Sequence, residues 1–454
     1  MPILGQMLDM ISAISAKRKW LITICITLLS GLQNASSADI AQELNTLLPK
    51  TLPWDINSLS KPPIYVWLDS NTPVRSLLYD GPPFKGNSTK IFAYYTTPGL
   101  LSGDASKDSN LPAMVLVHGG GGTAFKEWVE IWARRGYAAI AMDLSGCQPE
   151  PNYTRLPQGG PMMDEKDIFG NVDAPIMNQW PYHAVADVIL AHSLIISFQE
   201  VNSNKTGITG ISWGGFLTCI TVGVDKRFKA AVAVYGCGFI SDASAWLPDF
   251  AKMQPSHKEK WVNLWDPSVY IGSASVPLFF VTGTNDPAYW LESYAKTYSL
   301  VEGEHNLRIT PNMPHDYVHA WAPPEIGLFV DQYLKGGTPL PRIKLPRLRN
   351  GFIEADVDAK TKLTKAEVFY TIQNAPNIDR KWSSIEARIQ DVNIIAKAPP
   401  ADIRIYFVTV TDERGAMVSS ELVWLPVQQT PESTILKQSS CERASGIKTI
   451  PMDN

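Results

Sequence analysis

A serine flanked by glycines lies near the middle of the chain, in Gly210-Ile-Ser212-Trp-Gly214. An apolar strand-like run precedes it and an apolar helix-like run follows it, so Ser212 is predicted to occupy a sharp strand-to-helix turn. Small residues two positions before and after the serine leave room for that turn, which exposes the hydroxyl at a helix N-terminus. The pattern predicts a nucleophilic serine, although glycine-flanked serines also occur in ordinary turns.

A serine hydroxyl needs a base that takes its proton and an acid that orients the base. His315 follows the last predicted strand of its region and is the predicted base, with His319, about one helical turn later, as the alternative. Either histidine could instead be a hydrogen-bonded structural residue. Asp286 follows the preceding strand and is the predicted acid, with a helix cap as its other interpretation. Asp143, at the end of an earlier strand, is a weaker rival.

Four consecutive glycines, residues 119–122, follow a buried apolar run. Backbone of this kind can approach a ligand closely, and fixed amide groups can stabilise a developing oxyanion. The predicted donors are the backbone amides of Trp213 and of Gly120 or Gly121. A phosphate-binding loop is disfavoured because no Lys-Ser/Thr pair follows the glycines. The neighbouring His118 is predicted to brace the loop.

The elements that must position these residues follow from hydrophobic periodicity. Strand-like apolar runs, among them 138–142 and 207–211, alternate with helix-like segments such as 324–334, which indicates an α/β fold with a mostly parallel sheet covered by helices on both faces. Ser212, Asp286 and His315 each follow a predicted strand, so loops can bring them together. The Pro/Gly/Asn-rich segment 144–180 is predicted to be an active-site insertion, and residues 240–272, with three tryptophans, a short helical lid.

Other regions flank this core. Residues 1–38 contain a basic cluster, a short apolar run and small residues up to Ala38, which predicts a cleaved signal peptide and export to the periplasm or medium; a short membrane anchor is the alternative. The α/β domain is predicted to span residues 39–340. Beyond it the hydrophobic period becomes two, which predicts a small β-sandwich at 341–430, and a flexible polar tail at 431–454.

Composition argues against several functions. The 454 residues are 45% hydrophobic and 19% charged with a formal net charge of −4, so no basic surface for nucleic acid is indicated. No His-Glu-x-x-His or Cys-x-x-Cys motif is present, and neither a metal nor a cofactor is predicted. In an exported protein, one or two disulfides of unassigned pairing could form among Cys147, Cys219, Cys237 and Cys441.

The order Ser212, Asp286, His315, with the glycine turn upstream, is that of the α/β-hydrolase fold. Residues 112–338 resemble the prolyl oligopeptidase and acetylxylan esterase branch of that superfamily, and within it a group of exported bacterial esterase-like hydrolases. The resemblance is carried by the stretches His118–Phe125, Arg135–Asp143, Tyr182–Asp187, Gly210–Phe216, Val234–Gly238 and His315–Glu325. It implies a serine hydrolase and is far less specific for the substrate.

Two features differ from the named families. Acetylxylan esterases have glutamine after the nucleophile, where this chain has Trp213, and residues 39–117 are too few for the β-propeller that precedes the hydrolase domain of prolyl-type peptidases. The expected activity is cleavage of a small-molecule or oligosaccharide ester, with acetylated carbohydrate as the expected class and no stable membrane association. Trp180, Trp246 and Tyr289 are predicted to bind substrate by stacking on sugars, although they could equally form lid core.

Two further classes of function remain open. A serine peptidase acting on small peptides would be favoured by an acidic clamp for a peptide N-terminus, for which Glu150 and the Asp164-Glu165 pair are weak candidates. These carboxylates could equally be solvated loop charges. A non-catalytic binding protein that retains the fold is disfavoured by the intact order of serine, acid and base. Oligomeric state is not predicted.

Overall fold

The computed structural model describes residues 51–164, 168–399 and 402–426. The predicted signal peptide and the predicted tail lie outside these residues, so both stay predictions. The described chain from Pro53 onward forms one compact unit. Within the described ranges, no helix is both long and apolar enough to cross a membrane.

The strands of the N-terminal three quarters are β1 Tyr65–Asp69, β2 Arg75–Phe84, β3 Asn87–Thr96, β4 Leu111–Val117, β5 Ala138–Met142, β6 Cys147–Gln148, β7 Thr154–Arg155, β8 Val201–Ile211, β9 Ala230–Val234, β10 Leu278–Gly283 and β11 His305–Thr310. The later strands are β12 Arg342–Ile343, β13 Arg347–Arg349, β14 Phe352–Asp358, β15 Leu363–Thr371, β16 Ser383–Glu386, β17 Arg388–Gln390, β18 Asn393–Lys397, β19 Ile405–Asp412, β20 Met417–Ser419 and β21 Val423–Trp424.

The helices of the described residues are α1 Ile56–Leu59, α2 Pro98–Ser102, α3 Lys126–Arg134, α4 Trp180–Ile195, α5 Trp213–Val224, α6 Leu247–Lys252, α7 Pro255–Trp265, α8 Leu291–Tyr298, α9 Tyr317–Trp321 and α10 Pro324–Leu334. Helices α4 and α5 are buried along their whole length, as apolar helices packed on a central sheet must be.

The central strands β5, β4, β8, β9, β10 and β11 pair in parallel in that order. Antiparallel β3, β2 and β1 extend the sheet beyond β5. Every residue of β5 and β9 is buried, as expected for apolar strands covered on both faces. The mostly parallel sheet with its helices, and the additional strands after it, confirm the predicted fold class.

The C-terminal strands continue the same sheet. β20 pairs with β11, and β19, β15 and β16 follow. One apolar cluster joins both regions; its members are Leu291, Ile309, Ile405, Phe407 and Leu422. Strands β12, β14, β18 and β17, with β13 on β14, form a second sheet. The strand β11, which would otherwise leave an unpaired sheet edge, is thereby covered. The domain boundary at 340/341 stays a prediction.

Candidate active site

Ser212 lies in a strained backbone conformation between β8 and α5, with φ 58° and ψ −120°. Such a conformation persists only where the surroundings enforce it. A Cβ atom on Gly210 would lie 2.0 Å from the carbonyl oxygen of Gly214, and a Cβ atom on Gly214 would lie 1.9 Å from the carbonyl oxygen of Val117. Only glycine fits at these two positions, which explains the spacing seen in the sequence.

The structure brings Ser212, His315 and Asp286 together. The Nε2 atom of His315 lies 3.0 Å from the Ser212 hydroxyl oxygen, and its Nδ1 atom lies 2.7 Å from Oδ2 of Asp286. The three residues follow β8, β11 and β10, whose carboxyl ends share one edge of the sheet. With Nδ1–H donating to the carboxylate, Nε2 is free to accept the serine proton.

Asp286 is fully buried, and its position is fixed from several sides. Its Oδ1 atom accepts hydrogen bonds from the backbone amides of Ala288 at 2.9 Å and Tyr289 at 2.7 Å. These amides stabilise the carboxylate, while Oδ2 is directed to His315. The helix that follows, α8, begins at Leu291 and has no side-chain cap, so Asp286 closes a local turn before the helix rather than acting as the helix cap that was the other interpretation.

Tyr235 was not singled out by sequence reasoning, yet its ring stacks on His315 at a centroid distance of 4.3 Å and an interplanar angle of 26°. Its hydroxyl donates to the carbonyl oxygen of Pro314 at 2.7 Å, which ties down the loop that carries the histidine. Burial raises the pKa of Tyr235, so this group is a neutral donor. The sequence did contain a signal for this residue. Tyr235 directly follows β9, which lies between the strands that lead to Ser212 and to Asp286.

The glycines at 119–122 form a tight turn, in which the Gly122 amide donates to the Gly119 carbonyl at 3.1 Å. Gly121 has a φ of +66°, and a Cβ atom on Gly120 would lie 3.2 Å from the Trp213 ring. Among the described residues, no acceptor is bonded to the amides of Gly120, Gly121 or Trp213. These amides lie on neighbouring segments beside Ser212 and are available as donors.

A second tyrosine that sequence reasoning missed supports this turn. The Tyr317 hydroxyl accepts a hydrogen bond from the Gly119 amide at 3.1 Å. A Cβ atom on Gly122 would lie 2.0 Å from the same hydroxyl. The glycine turn is therefore packed against the segment that follows His315, and glycine is needed there for close packing.

His118 and Asp143 brace the site from below. His118 Nδ1 lies 2.8 Å from the Gly119 carbonyl, and its Nε2 accepts from the Leu144 amide at 2.9 Å. Burial lowers the pKa of His118, against the opposing effect of the nearby Asp143. The Asp143 carboxylate accepts from the Ser145 and Cys147 amides at 2.9 and 2.8 Å. Its bonds are made to the start of the insertion, and His315 is paired with Asp286 instead.

His319, the alternative base, is half exposed and bound to its own neighbour. Its Nδ1 atom lies 2.7 Å from the Asp316 carboxylate. The histidine that lies within hydrogen-bonding distance of Ser212 is His315.

The predicted insertion and lid both pack around Trp213. Phe169 of the insertion lies 5.9 Å from Trp213 and 5.2 Å from Trp261 of the lid, measured between ring centroids. Trp246 of the lid lies 4.7 Å from Trp213, and the Trp261 indole donates to the Ile168 carbonyl at 2.7 Å. Aromatic side chains of the insertion and the lid therefore pack on Trp213, the residue that follows the serine.

The three aromatic residues predicted to bind substrate differ in accessibility. Trp180 is completely buried, and its indole N–H donates to the Leu144 carbonyl at 2.8 Å. Tyr289 is also completely buried, with its ring nearly parallel to that of His315 at 6.4 Å. Trp246 is half-buried. Of the three, only Trp246 has appreciable ring surface open to a ligand, and Trp180 and Tyr289 occupy the core positions that were the alternative.

Of the acidic residues considered as a peptide clamp, Glu150 is engaged elsewhere. Glu150 pairs with Lys126 at 2.8 Å. Both line a cavity of about 500 Å³ beside β1 to β3, and Ser212 is not among the residues that line it. Asp164 is exposed, and Glu165 lies outside the described residues.

The described cysteines are unpaired. Cys147, Cys219 and Cys237 are buried free thiols, and burial raises the pKa of each. Cys441 lies outside the described residues. The buried thiols are therefore neutral side chains of the core rather than nucleophiles.

Comparisons with known proteins show what parts of the chain are similar to. Residues 173–320 match the prolyl oligopeptidase family, and Ser212, Asp286 and His315 lie within that range. A curated relative, "Acetyl esterase Axe7A" of Xylanibacter ruminicola, is 21% identical over 50% of this chain and 52% of its own length. "Uncharacterized peptidase YuxL" of Bacillus subtilis is 25% identical over 46% of this chain and 31% of its own length. The chain thus spans about a third to a half of these relatives.

Among solved structures, an acetyl xylan esterase from Paenibacillus sp. R4 superposes with a TM-score of 0.50 at 18% identity. The superposition covers 64% of this chain and 99% of that protein. At such identity the likeness shows the fold alone. The chain has the α/β-hydrolase fold, and its residues 173–320 are similar to the prolyl oligopeptidase family.

Proposed function

We propose that this α/β-hydrolase is an exported serine hydrolase that cleaves carboxylic esters, with acetyl esters of carbohydrate as its substrates. One observation carries the proposal. Ser212, His315 and Asp286 form a continuous hydrogen-bonded series with distances of 3.0 and 2.7 Å. This arrangement of nucleophile, base and orienting acid is the one that acyl transfer requires.

In the proposed first step, Nε2 of His315 takes the proton from the Ser212 hydroxyl as the serine oxygen attacks the ester carbonyl. Asp286 holds the ring in the required tautomer and stabilises the imidazolium. The negative charge that develops on the carbonyl oxygen is stabilised by the amides of Trp213 and of Gly120 or Gly121. His315 then returns its proton to the departing alcohol, and an acyl-enzyme remains on Ser212.

In the second step, water enters where the alcohol has left. His315 takes a proton from this water, which attacks the acyl carbonyl, and the same amides again hold the oxyanion. Collapse of the intermediate returns the proton to Ser212 and releases the carboxylic acid. No further group is required, because one histidine serves as base and then as acid in each half of the cycle.

The aromatic residues next to the serine in the fold support the choice of a small acyl group on a sugar. Trp213 is in contact with the rings of Phe169, Phe216 and Trp246 at centroid distances between 4.7 and 5.9 Å. This packing fills the space around Trp213, and the half-buried Trp246 offers a surface on which a sugar could stack. The names of the relatives that act on acetyl groups agree with this substrate class.

A serine peptidase acting on small peptides is the second candidate. The match to the prolyl oligopeptidase family and to a relative named as a peptidase favours it. A carboxylate for a peptide N-terminus would have to lie near Ser212, and Glu150 is instead paired with Lys126. We therefore favour the hypothesis that the substrate is an ester.

A direct assay of ester and amide cleavage distinguishes the two candidate functions. Purified protein is incubated with acetylated xylo-oligosaccharides and, separately, with proline-containing peptide amides, with Ser212→Ala as the control. Release of acetate that is lost in the Ser212→Ala variant, without amide cleavage, is expected. Amide cleavage without acetate release would overturn the ester assignment in favour of the peptidase. Activity that survives in Ser212→Ala would exclude the proposed nucleophile.

Export is the part of the proposal that depends on residues 1–38 alone. Expression of the full chain in a Gram-negative host, followed by N-terminal sequencing of the periplasmic protein, tests it. A mature protein that begins at Asp39 is expected. An uncleaved chain in the membrane fraction would favour the anchor instead.

A further inference from the structure

We infer that the C-terminal β-region is a working part of the catalytic centre, because Asn377 is a positioning residue for the acid Asp286. Asn377 lies in the connection between β15 and β16, 91 positions beyond Asp286 in the chain. This inference rests on the proposed function, since it concerns the same proton-transfer residues. It gives the additional strands a role in catalysis rather than in docking alone.

The contact between the two regions is direct and buried. Asn377 is fully buried, and its Nδ2 donates to the backbone carbonyl of Asp286 at 3.0 Å. Its Oδ1 accepts from the Leu291 amide at 3.2 Å and from Arg380 Nη1 at 3.3 Å. One amide side chain therefore bonds the loop both at Asp286 and at the first residue of α8.

Further bonds anchor the residue before Asp286. The Asn285 side-chain amide lies within hydrogen-bonding distance of three carbonyls of the β15–β16 connection, those of Asn377 at 3.1 Å, Ile378 at 3.2 Å and Arg380 at 2.7 Å. Within this contact Asn285 donates to the C-terminal segment and Asn377 donates back. The reciprocal bonds restrict movement of the loop in both directions.

An ion pair closes the contact on its other side. Arg380, which is 7% exposed, is bonded to Glu292 of α8, and its Nε donates to the Ala375 carbonyl at 3.0 Å. Breaking a buried pair by removing one partner is costly. The loop from Asn285 to Glu292 is thus held at its start, at Asp286 itself and at its end.

The consequence for catalysis follows from the geometry of Asp286. Its carboxylate must stay within hydrogen-bonding distance of His315 Nδ1, now 2.7 Å, while the strained Ser212 fixes the other end of the series. Displacement of reacting groups by about 1 Å can cost on the order of 100-fold in rate. Residues within the α/β domain bond the Asp286 carboxylate, whereas the bond to its carbonyl comes from the C-terminal region.

The test compares Asn377→Ala with Asn306→Ala. Asn306 is also buried, and its Nδ2 donates to the Pro341 carbonyl at 2.9 Å, so its loss removes a buried bond from side chain to carbonyl away from Asp286. We expect a loss of thermal stability in both variants, and a larger one in Asn377→Ala, because the Asn377 side chain makes three hydrogen bonds. In Asn377→Ala alone, kcat for ester hydrolysis should fall on the order of 10-fold to 100-fold with KM changed less than about twofold.

Two readouts are independent of any substrate. The rate of Ser212 labelling by a fluorophosphonate should fall with kcat, and the low-field proton resonance of His315 Nδ1–H should shift or broaden in Asn377→Ala but not in Asn306→Ala. If the wild-type protein cleaves no ester while these two effects are seen, the substrate assignment fails and the positioning role stands. Asn377→Ala with unchanged labelling and resonance would overturn the inference.

A second variant covers the case in which Asn377→Ala does not fold. Asn285 is partly exposed, so water can replace its side chain as a partner of the groups that it bonds, and Asn285→Ala is expected to fold. It removes the bonds to the β15–β16 connection from the opposite side. A smaller decrease in the labelling rate, in the same direction, is expected; a rate equal to that of the wild-type protein in this folded variant would contradict the inference.

Discussion

At the scale of single residues, Asp286 shows how one side chain can serve folding and chemistry together. Its Oδ1 accepts two backbone amides of the turn that precedes α8, while Oδ2 faces His315. Because the first role fixes the rotamer, the second needs no rearrangement when substrate binds. The proposed mechanism gives this carboxylate an orienting and charge-stabilising role, which a neutral isostere would perform poorly.

The substitution Asp286→Asn tests this role. An amide can donate to His315 Nδ1 and so select the tautomer with its proton on Nε2, which cannot accept a proton from Ser212. We expect kcat to fall by about 10⁴-fold, as it does for the equivalent Asp→Asn change in the triad of a trypsin-like serine protease. KM should change little. Steady-state ester hydrolysis measures the effect.

Asp225→Asn is the matched control. This carboxylate is also buried and is also paired with a histidine, His192 at 2.9 Å, but it lies at the far end of α5 from Ser212. Its loss is expected to act on stability far more than on kcat. If both variants lost activity to the same extent, the assignment of Asp286 as the orienting acid would be wrong.

At the scale of elements, the turn between β8 and α5 is the most constrained part of the site. The close approach of Gly214 to the carbonyl of Val117 brings α5 against β4. Gly214→Ala is expected to lower the free energy of unfolding by about 3 kcal/mol or more, because backbone must move to admit the methyl group. Urea unfolding of purified variants gives this value.

Gly303→Ala provides the comparison for that experiment. A Cβ atom at Gly303 would meet nothing within 4 Å, and its φ lies outside the left-handed region. Its stability should stay within about 0.5 kcal/mol of the wild-type value. Equal stability of the two variants would show that the turn at Ser212 is not close-packed.

Much of this element structure could be predicted from the sequence. The buried strand 138–142 and the helix 324–334 have the predicted bounds, because an apolar run with clear ends and a proline at a helix start are local signals. The strand before Ser212 starts at Val201, six residues before the predicted 207. Its first part is polar and exposed, so hydrophobicity alone does not reveal it.

Contacts distant in the chain were beyond prediction. Tyr235 on His315, Tyr317 on the glycine turn and Asn377 on Asp286 each depend on two segments meeting in space. The type and spacing of these residues carry no signal of their own. Ser212, Asp286 and His315 could be proposed because a known chemistry restricts both their types and their order, whereas a supporting tyrosine or asparagine has many equivalent positions.

At the scale of the whole molecule, the sheet runs from β1 to β16 without interruption. The C-terminal strands cover β11 and share an apolar cluster with α8, the helix that follows Asp286. Stability of the C-terminal region and the geometry of the site are therefore coupled. This coupling is the structural basis for assigning Asn377 a role in positioning.

Buried histidines should make the whole protein sensitive to acid. Burial lowers the pKa of His183 from 6.5 to about 4, and it also lowers those of His192 and His118. At these histidines the unfolded chain therefore binds more protons than the folded one below pH 6.5, so their contribution to stability is complete above that pH and falls as pH decreases toward 4. We expect His183 alone to contribute about 3 kcal/mol to this loss. Urea unfolding between pH 7.5 and 4 measures it.

His183→Gln should flatten that dependence, because glutamine does not titrate and can still donate to the Met177 carbonyl, which His183 Nε2 approaches at 2.8 Å. Gly303→Ala, which changes no titratable group and meets no neighbour within 4 Å, should leave the dependence unchanged. An identical slope in the wild-type protein and in His183→Gln would contradict the proposed origin of the acid sensitivity.

The central claim is that Ser212 is an activated nucleophile, and covalent labelling tests it most directly. The folded protein is treated with a fluorophosphonate, and its intact mass and proteolytic peptides are analysed. One adduct is predicted, on the peptide that contains Ser212, with none in Ser212→Ala and much slower labelling in Asp286→Asn. Failure of the folded wild-type protein to react, or an adduct on another residue, would contradict the account.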